Sequence, residues 1–85
     1  MTTVRYQAAA EADLIEVWLK IADDGGLKRA DKYILKLEKT CVLLSVELNL
    51  GIARGDIELG IRSFPVDRYA IYYELNGSIL SVLRV

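Results

Sequence analysis

Residues 60–85 read GIRSFPVDRYAIYYELNGSILSVLRV, and this stretch decides the fold. Arg68 to Leu75 is aromatic, branched and alternating, the traits of a strand. Asn76-Gly77 separates it from a second such run, the pattern of a two-residue type I′ hairpin. That loop would set a register in which Leu75 faces Ser78, Tyr73 faces Leu80, Ile71 faces Val82 and Tyr69 faces Arg84. On the other side Tyr72 would meet Ser81, Ala70 would meet Leu83 and Glu74 would meet Ile79. Large apolar groups then fall on both faces, whereas a sheet with one wet face alternates cleanly. Helices can cover one face. The other is expected to need a further chain segment, a second copy or a different protein.

Working upstream, Leu59 to Phe64 reads as a strand that Pro65 either ends or marks as an edge. Val66-Asp67 is the expected turn, and residues 52–57, IARGDI, are a weak strand or an ordered loop. Before them Ala30, Ile34, Leu37, Cys41, Leu44 and Leu48 recur at steps of four and three, one continuous helical seam. Leu35, Val42, Leu43 and Val46 widen its apolar face, so more than one neighbour is expected to cover it. Leu14, Val17, Trp18 and Ile21 give an earlier helix from Ala8 to about Ala22. Asp23-Asp24-Gly25-Gly26 ends it; two acids oppose the dipole at a helix C-terminus and are assigned to the turn or to the next helix. Thr2 to Tyr6 alternates as a short strand. The expected architecture is α+β: a short N-terminal strand, an antiparallel helix hairpin, then a sheet of three or four antiparallel strands.

Eighty-five residues, 53% hydrophobic and 27% charged, make one ordered domain with a modest core. No apolar run is long enough to span a bilayer and the N-terminus lacks a signal-peptide pattern, so a cytoplasmic location without membrane contact is expected. Cys41 is the sole cysteine and histidine is absent, which removes a disulfide, the commonest general base and the usual metal ligand together. No cofactor or metal spacing is present, and Gly51, Gly55 and Gly60 are too dispersed to cradle a phosphate. Cys41 lies in the seam and reads as a small buried hydrophobe.

A net charge of −1 makes no case for nucleic acid as a direct partner. Its distribution is uneven. Arg29, Lys32, Lys36 and Lys39 form a stripe on the second helix, expected to pair with the acidic first helix across the hairpin. Every basic residue beyond Lys39 is an arginine: Arg54, Arg62, Arg68 and Arg84. Arg54, Arg62 and Arg68 with Tyr72 could form a phosphate or RNA surface. Alternatively the tyrosines are half-buried strand residues and the arginines pair with Asp56, Glu58 and Asp67.

The segments ADLIEVW (12–18), ADKYILKLEKTC (30–41), NLGIARGDIELGIRSFPVDRYAIYYEL (49–75) and ILSVLRV (79–85) together resemble the ParE branch of the RelE/ParE toxins of bacterial type II toxin–antitoxin systems. The most specific part, GIRSFPVDRYAIYY, is similar to the family pattern G-L-R-x-F-P-x-x-R-Y-x-I-x-Y, and Gly51 to Arg54 matches a flanking G-x-x-R. The resemblance implies a toxin without catalytic residues that poisons DNA gyrase. It also implies a hetero-oligomer with a ParD-like antitoxin wrapped on it as helix and extended chain. The alternative is a RelE-like ribosome-dependent mRNA endoribonuclease; Ala70, where that branch is commonly basic, and a pI near 5.3 depart from it.

Two further departures stand out. Asn49 replaces a frequent proline, and ParE-like chains usually continue past Arg84-Val85 into a short His-Gly and basic segment. The expectation is therefore a single domain over residues 1–85 without that tail, which could be a non-toxic, truncated antitoxin-binding form. The expected antitoxin contacts are Leu35, Val42 and Val46 along the helix groove, with Arg62, Arg68, Tyr72 and Leu83 of the sheet. Arg54 and Arg84 are candidates for a target or phosphate contact.

Overall fold

The computed structural model describes residues 2–47 and 49–85; Leu48, the expected last member of the seam, lies outside them. The elements are β1 (Thr3–Tyr6), α1 (Ala8–Gly25), α2 (Leu27–Val46), β2 (Ile52–Ala53), β3 (Ile61–Val66), β4 (Tyr69–Asn76) and β5 (Ile79–Arg84). They form a five-stranded sheet in the order β1-β5-β4-β3-β2. The four C-terminal strands are antiparallel and β1 adds to β5 in parallel, so the α+β architecture stands with the N-terminal strand as a fifth member. No helix among the described residues is long and apolar enough to cross a membrane.

The β4–β5 hairpin differs from its expected register. Asn76 pairs with Ile79, so the two loop residues are Gly77-Ser78 rather than Asn76-Gly77. Gly77 has φ +60°. A left-handed glycine at the first central position suits a type II′ turn, so the loop settles one residue along. Tyr73 consequently faces Val82, and Leu75 faces Leu80. This shift preserves parity, so no side chain changes face. Ile71, Tyr73, Leu80 and Val82 are all fully buried in one core with Leu37, Cys41 and Leu44. Between Tyr72 and Tyr73 the register shifts: Tyr73 pairs with Val82 but Tyr72 with Arg84, leaving Leu83 as the extra residue of a bulge. The expected pairs Ile71–Val82, Tyr69–Arg84 and Ala70–Leu83 are thereby replaced.

The helical seam matches its pattern, with Ala30, Leu37, Cys41 and Leu44 buried and Ile34 packed at the margin. On α1, Ala10 and Val17 are buried and Leu14 and Ile21 pack beside them. Only Gly26 (φ +89°) separates the helices. Asp23 and Asp24 belong to the last turn of α1, not to the turn or to α2. Both are exposed, and water screens their clash with the dipole. Among the described residues no ion pair joins the two helices; the polar tie is Trp18 Nε1 donating to Asp31 Oδ1 at 2.8 Å. Of the basic stripe, Lys36 pairs with Asp67 of the β3–β4 turn instead.

Pro65 lies inside β3 opposite Ala70, where β2, which pairs only with Arg62 and Ser63, leaves β3 as the edge. The turn to β4 is Asp67-Arg68, with Asp67 at φ +55°. The outer face of the sheet is partly covered by the chain itself. Arg54, the first residue of the β2–β3 loop, places its guanidinium 5.6 Å from the Tyr72 ring centre, and Ile57 lines one depression with Ile61 and Tyr72.

Past α2 the chain turns over the buried Tyr73. Its Oη accepts the Gly51 N–H at 3.1 Å, and Arg62 donates to the Gly51 carbonyl. A Cβ at Gly51 would fall 2.1 Å from that oxygen and 2.8 Å from Cζ. Gly51→Ala should therefore destabilise the fold by about 2–3 kcal/mol. Tyr73→Phe should lose roughly 1–3 kcal/mol by orphaning a buried N–H. Because the phenylalanine removes the nearest clashing atom, the double variant should lose less than the sum, as urea denaturation can show.

A candidate partner-binding surface

One face of α2 supplies the core and another is left bare. Leu35 is 49% exposed, Val42 57%, Leu43 48% and Val46 72%, and together they form a stripe at helical spacing. Leu50, just past the helix, is also exposed. Of the neighbours expected to cover α2, the rest of the chain supplies those on the Leu37–Cys41–Leu44 side alone.

Beside the stripe lies a shallow groove of about 600 Å³, lined by Lys32, Tyr33, Leu35, Lys36, Lys39, Thr40 and Leu43. One end is pinned to the sheet. Lys36 Nζ lies 2.9 Å from Asp67 Oδ2, and Tyr33 Oη donates to the same oxygen at 3.0 Å. The Tyr33 ring also meets that of Tyr69 with centres 5.9 Å apart. The ammonium and the phenol together hold the Asp67 carboxyl below its usual range. Burial, then Asp67, pushes the Tyr33 phenol up to about 12. The left-handed backbone at Asp67 aims its carboxylate back at α2.

The residues expected to bind a partner fall on two faces. Leu35, Val42 and Val46 lie on α2, Arg62 is half-buried on the helix-facing side of β3, and Arg68 is exposed in the β3–β4 turn. Tyr72 and Leu83 are on the opposite side, in a shallow depression shared with Ile57, Ile61, Arg84 and Val85. A single short segment does not reach both sets.

The candidate phosphate contacts are already engaged. Arg54 grips Asp56 with Nε and Nη2, both at 3.0 Å. Arg84 grips Asp13 with Nε at 2.6 Å and Nη2 at 2.9 Å, and Val85 N–H adds a third bond to that carboxylate. These contacts depress the Asp13 carboxyl, with the Arg84 hydrogen bond the largest cause. Cys41 is buried with its thiol pushed up by desolvation, so it is poorly suited to attack. Leu43, Leu50 and Tyr33 are the surface residues absent from the expected binding set. Leu43 had a period-based signal, whereas the Tyr33–Asp67 tie spans 34 positions and leaves no local trace.

Fold and surface together define a small α+β domain that presents a bare apolar helix face, a basic groove and a pinned turn. The family described as ParE toxin of type II toxin-antitoxin system, parDE, matches residues 4–85. The chain is 32% identical over 73 residues to Toxin ParE3 of Caulobacter vibrioides, spanning 86% of this chain and 73% of that one. It is 27% identical over 78 residues to Toxin ParE1 of Mycobacterium tuberculosis, spanning 91% and 80% respectively. The solved structure titled "Chromosomal ParDE TA system from P. aeruginosa" shares the fold at a TM-score of 0.81 and 21% identity, over 99% of this chain and 92% of that chain. This chain belongs to the ParE toxin family of type II toxin–antitoxin systems.

Asp67→Asn keeps a residue that tolerates left-handed backbone but removes the charge. Since the folded-state pKa of Asp67 is depressed, its contribution is present above the unfolded carboxylate value of about 3.9 and is lost as pH falls through the lower folded one. The variant should melt below wild type at pH 7, and the gap should narrow toward pH 3 in thermal scans.

Proposed function

We propose that this chain is the toxin of a cytoplasmic ParDE-type module, that it stalls DNA gyrase by binding rather than by catalysis, and that a ParD-like antitoxin silences it in a hetero-oligomer. Family membership and the bare apolar stripe of α2 support this reading. The stripe carries it: four large aliphatic side chains about half exposed or more on one helix are poorly used in a free monomer and well used under an amphipathic partner segment. The antitoxin lays its apolar side chains on Leu35, Val42, Leu43 and Val46, with acidic residues toward Lys32, Lys36 and Lys39.

Purified chain should inhibit supercoiling by gyrase, and an antitoxin encoded beside its gene should restore the activity. Arrest of in-vitro translation with supercoiling untouched would instead select the ribosome-directed alternative. Val42→Asp and Val46→Asp, at exposed sites, should leave the melting temperature nearly unchanged and weaken antitoxin binding at least tenfold in calorimetric titration. Unchanged affinity would remove α2 from the interface.

A further inference from the structure

We propose that Arg62 is the charge anchor of the partner-binding surface and takes a carboxylate from the segment that lies along α2. This rests on the antitoxin reading and adds to it a specificity-determining residue. The four arginines of the C-terminal half are in different states. Arg54 is held by Asp56 and Arg84 by Asp13, each through two nitrogens. Arg68 stands exposed in a turn. Arg62 is half-buried between Ala53 and Tyr73 in the sheet, and none of the ion pairs among the described residues includes it.

Arg62 donates from Nη2 to the Gly51 carbonyl, while its Nε is covered and has no acceptor. A guanidinium stripped of water on one edge and given only a neutral carbonyl is an incomplete arrangement. The missing element is an anion of fork geometry, which a carboxylate supplies and a carbonyl does not.

Position indicates the source. The bare residues Val42, Leu43, Val46 and Leu50 run down the chain toward Gly51, the residue Arg62 holds. A segment that covers the stripe therefore comes to Arg62 at one end and to Lys32, Lys36 and Lys39 at the other. Its apolar positions match the stripe and its acids match both ends. The carboxylate accepts from Nη1 and from the second N–H of Nη2, which keeps its bond to the Gly51 carbonyl. A lysine could supply the charge but not the two parallel donors.

The test is a titration of full-length wild type, Arg62→Gln, Arg62→Lys and Arg68→Gln with the antitoxin encoded beside the gene, with a melting curve for each variant. Arg62→Gln should weaken binding about 30-fold or more, Arg62→Lys by less, and Arg68→Gln by under about threefold. Each antitoxin Asp and Glu is then changed to Asn or Gln. One such change should weaken binding to wild type and add nothing against Arg62→Gln. Arg62→Gln affinity within threefold of wild type, whatever its melting temperature, overturns the anchor while leaving the antitoxin reading intact. If Arg62→Gln does not fold, the cycle is run on Arg62→Lys, and additivity with every acidic position overturns the anchor. No binding by the wild-type chain overturns the antitoxin reading itself.

Discussion

The Tyr73 hydroxyl beneath Gly51 is the contact on which the rest of the molecule depends. Tyr73 lies in β4 with its ring fully buried, so its one polar atom must find a partner inside. It finds the N–H of a residue that has no Cβ, at a point where a Cβ cannot fit. The exit from α2 is thereby pinned to the middle of the sheet. That fixes where the helix ends, places Ile52 and Ala53 against β3, and brings the Gly51 carbonyl within reach of Arg62. Loosening it would release the end of the helix, the edge strand and the arginine together.

The sheet has apolar groups on both faces, and the chain treats the two differently. The inner face is closed by α1 and α2 around Ile71, Tyr73, Leu80 and Val82. The outer face is partly closed by the chain's own β2–β3 loop, through Arg54 over the Tyr72 ring and Ile57, which lines one depression with Ile61 and Tyr72. Exposed apolar surface thus includes the stripe on α2, beside Ile15 and Leu19 of α1 and Ile52, Ile57 and Leu59 around β2. Parity explains why the core was legible nonetheless. Any even shift of the hairpin keeps Tyr73 and Leu80 inside, so an error in the loop left the core list intact.

What was not legible has physical reasons. Asn76-Gly77 and Gly77-Ser78 both supply a left-handed residue to a two-residue loop, and only packing of the two strands decides between them. The Arg54–Asp56 pair is local and was open to the sequence, but the Lys36–Asp67 and Arg84–Asp13 pairs join residues 31 and 71 positions apart, so no local pattern reports those two. Arginines 54, 62, 68 and 84 look alike in sequence, yet two are neutralised by carboxylates, one is in solvent and one is half-buried. On α2 the breadth of the apolar face was visible. Its interpretation was not: a helix apolar on two sides is equally compatible with a second internal neighbour and with none, and Leu35, Val42, Leu43 and Val46 have none.

That bare face also bears on stability. Eighty-five residues bury a modest core, and leaving several large aliphatic groups in water forfeits part of what they could contribute. A ligand that binds only the folded chain raises its stability by RT ln(1 + [L]/Kd), about 4 kcal/mol at a thousandfold excess over Kd, comparable to the whole stability of a small domain. The stripe therefore couples folding to occupancy. Released from its partner, the chain keeps the Tyr73–Gly51 pin and its inner core but exposes Leu35, Val42, Leu43 and Val46 together. A face so arranged favours any partner that can cover it, and on the anchor proposed for Arg62 that choice narrows to one carrying an acid at the right end.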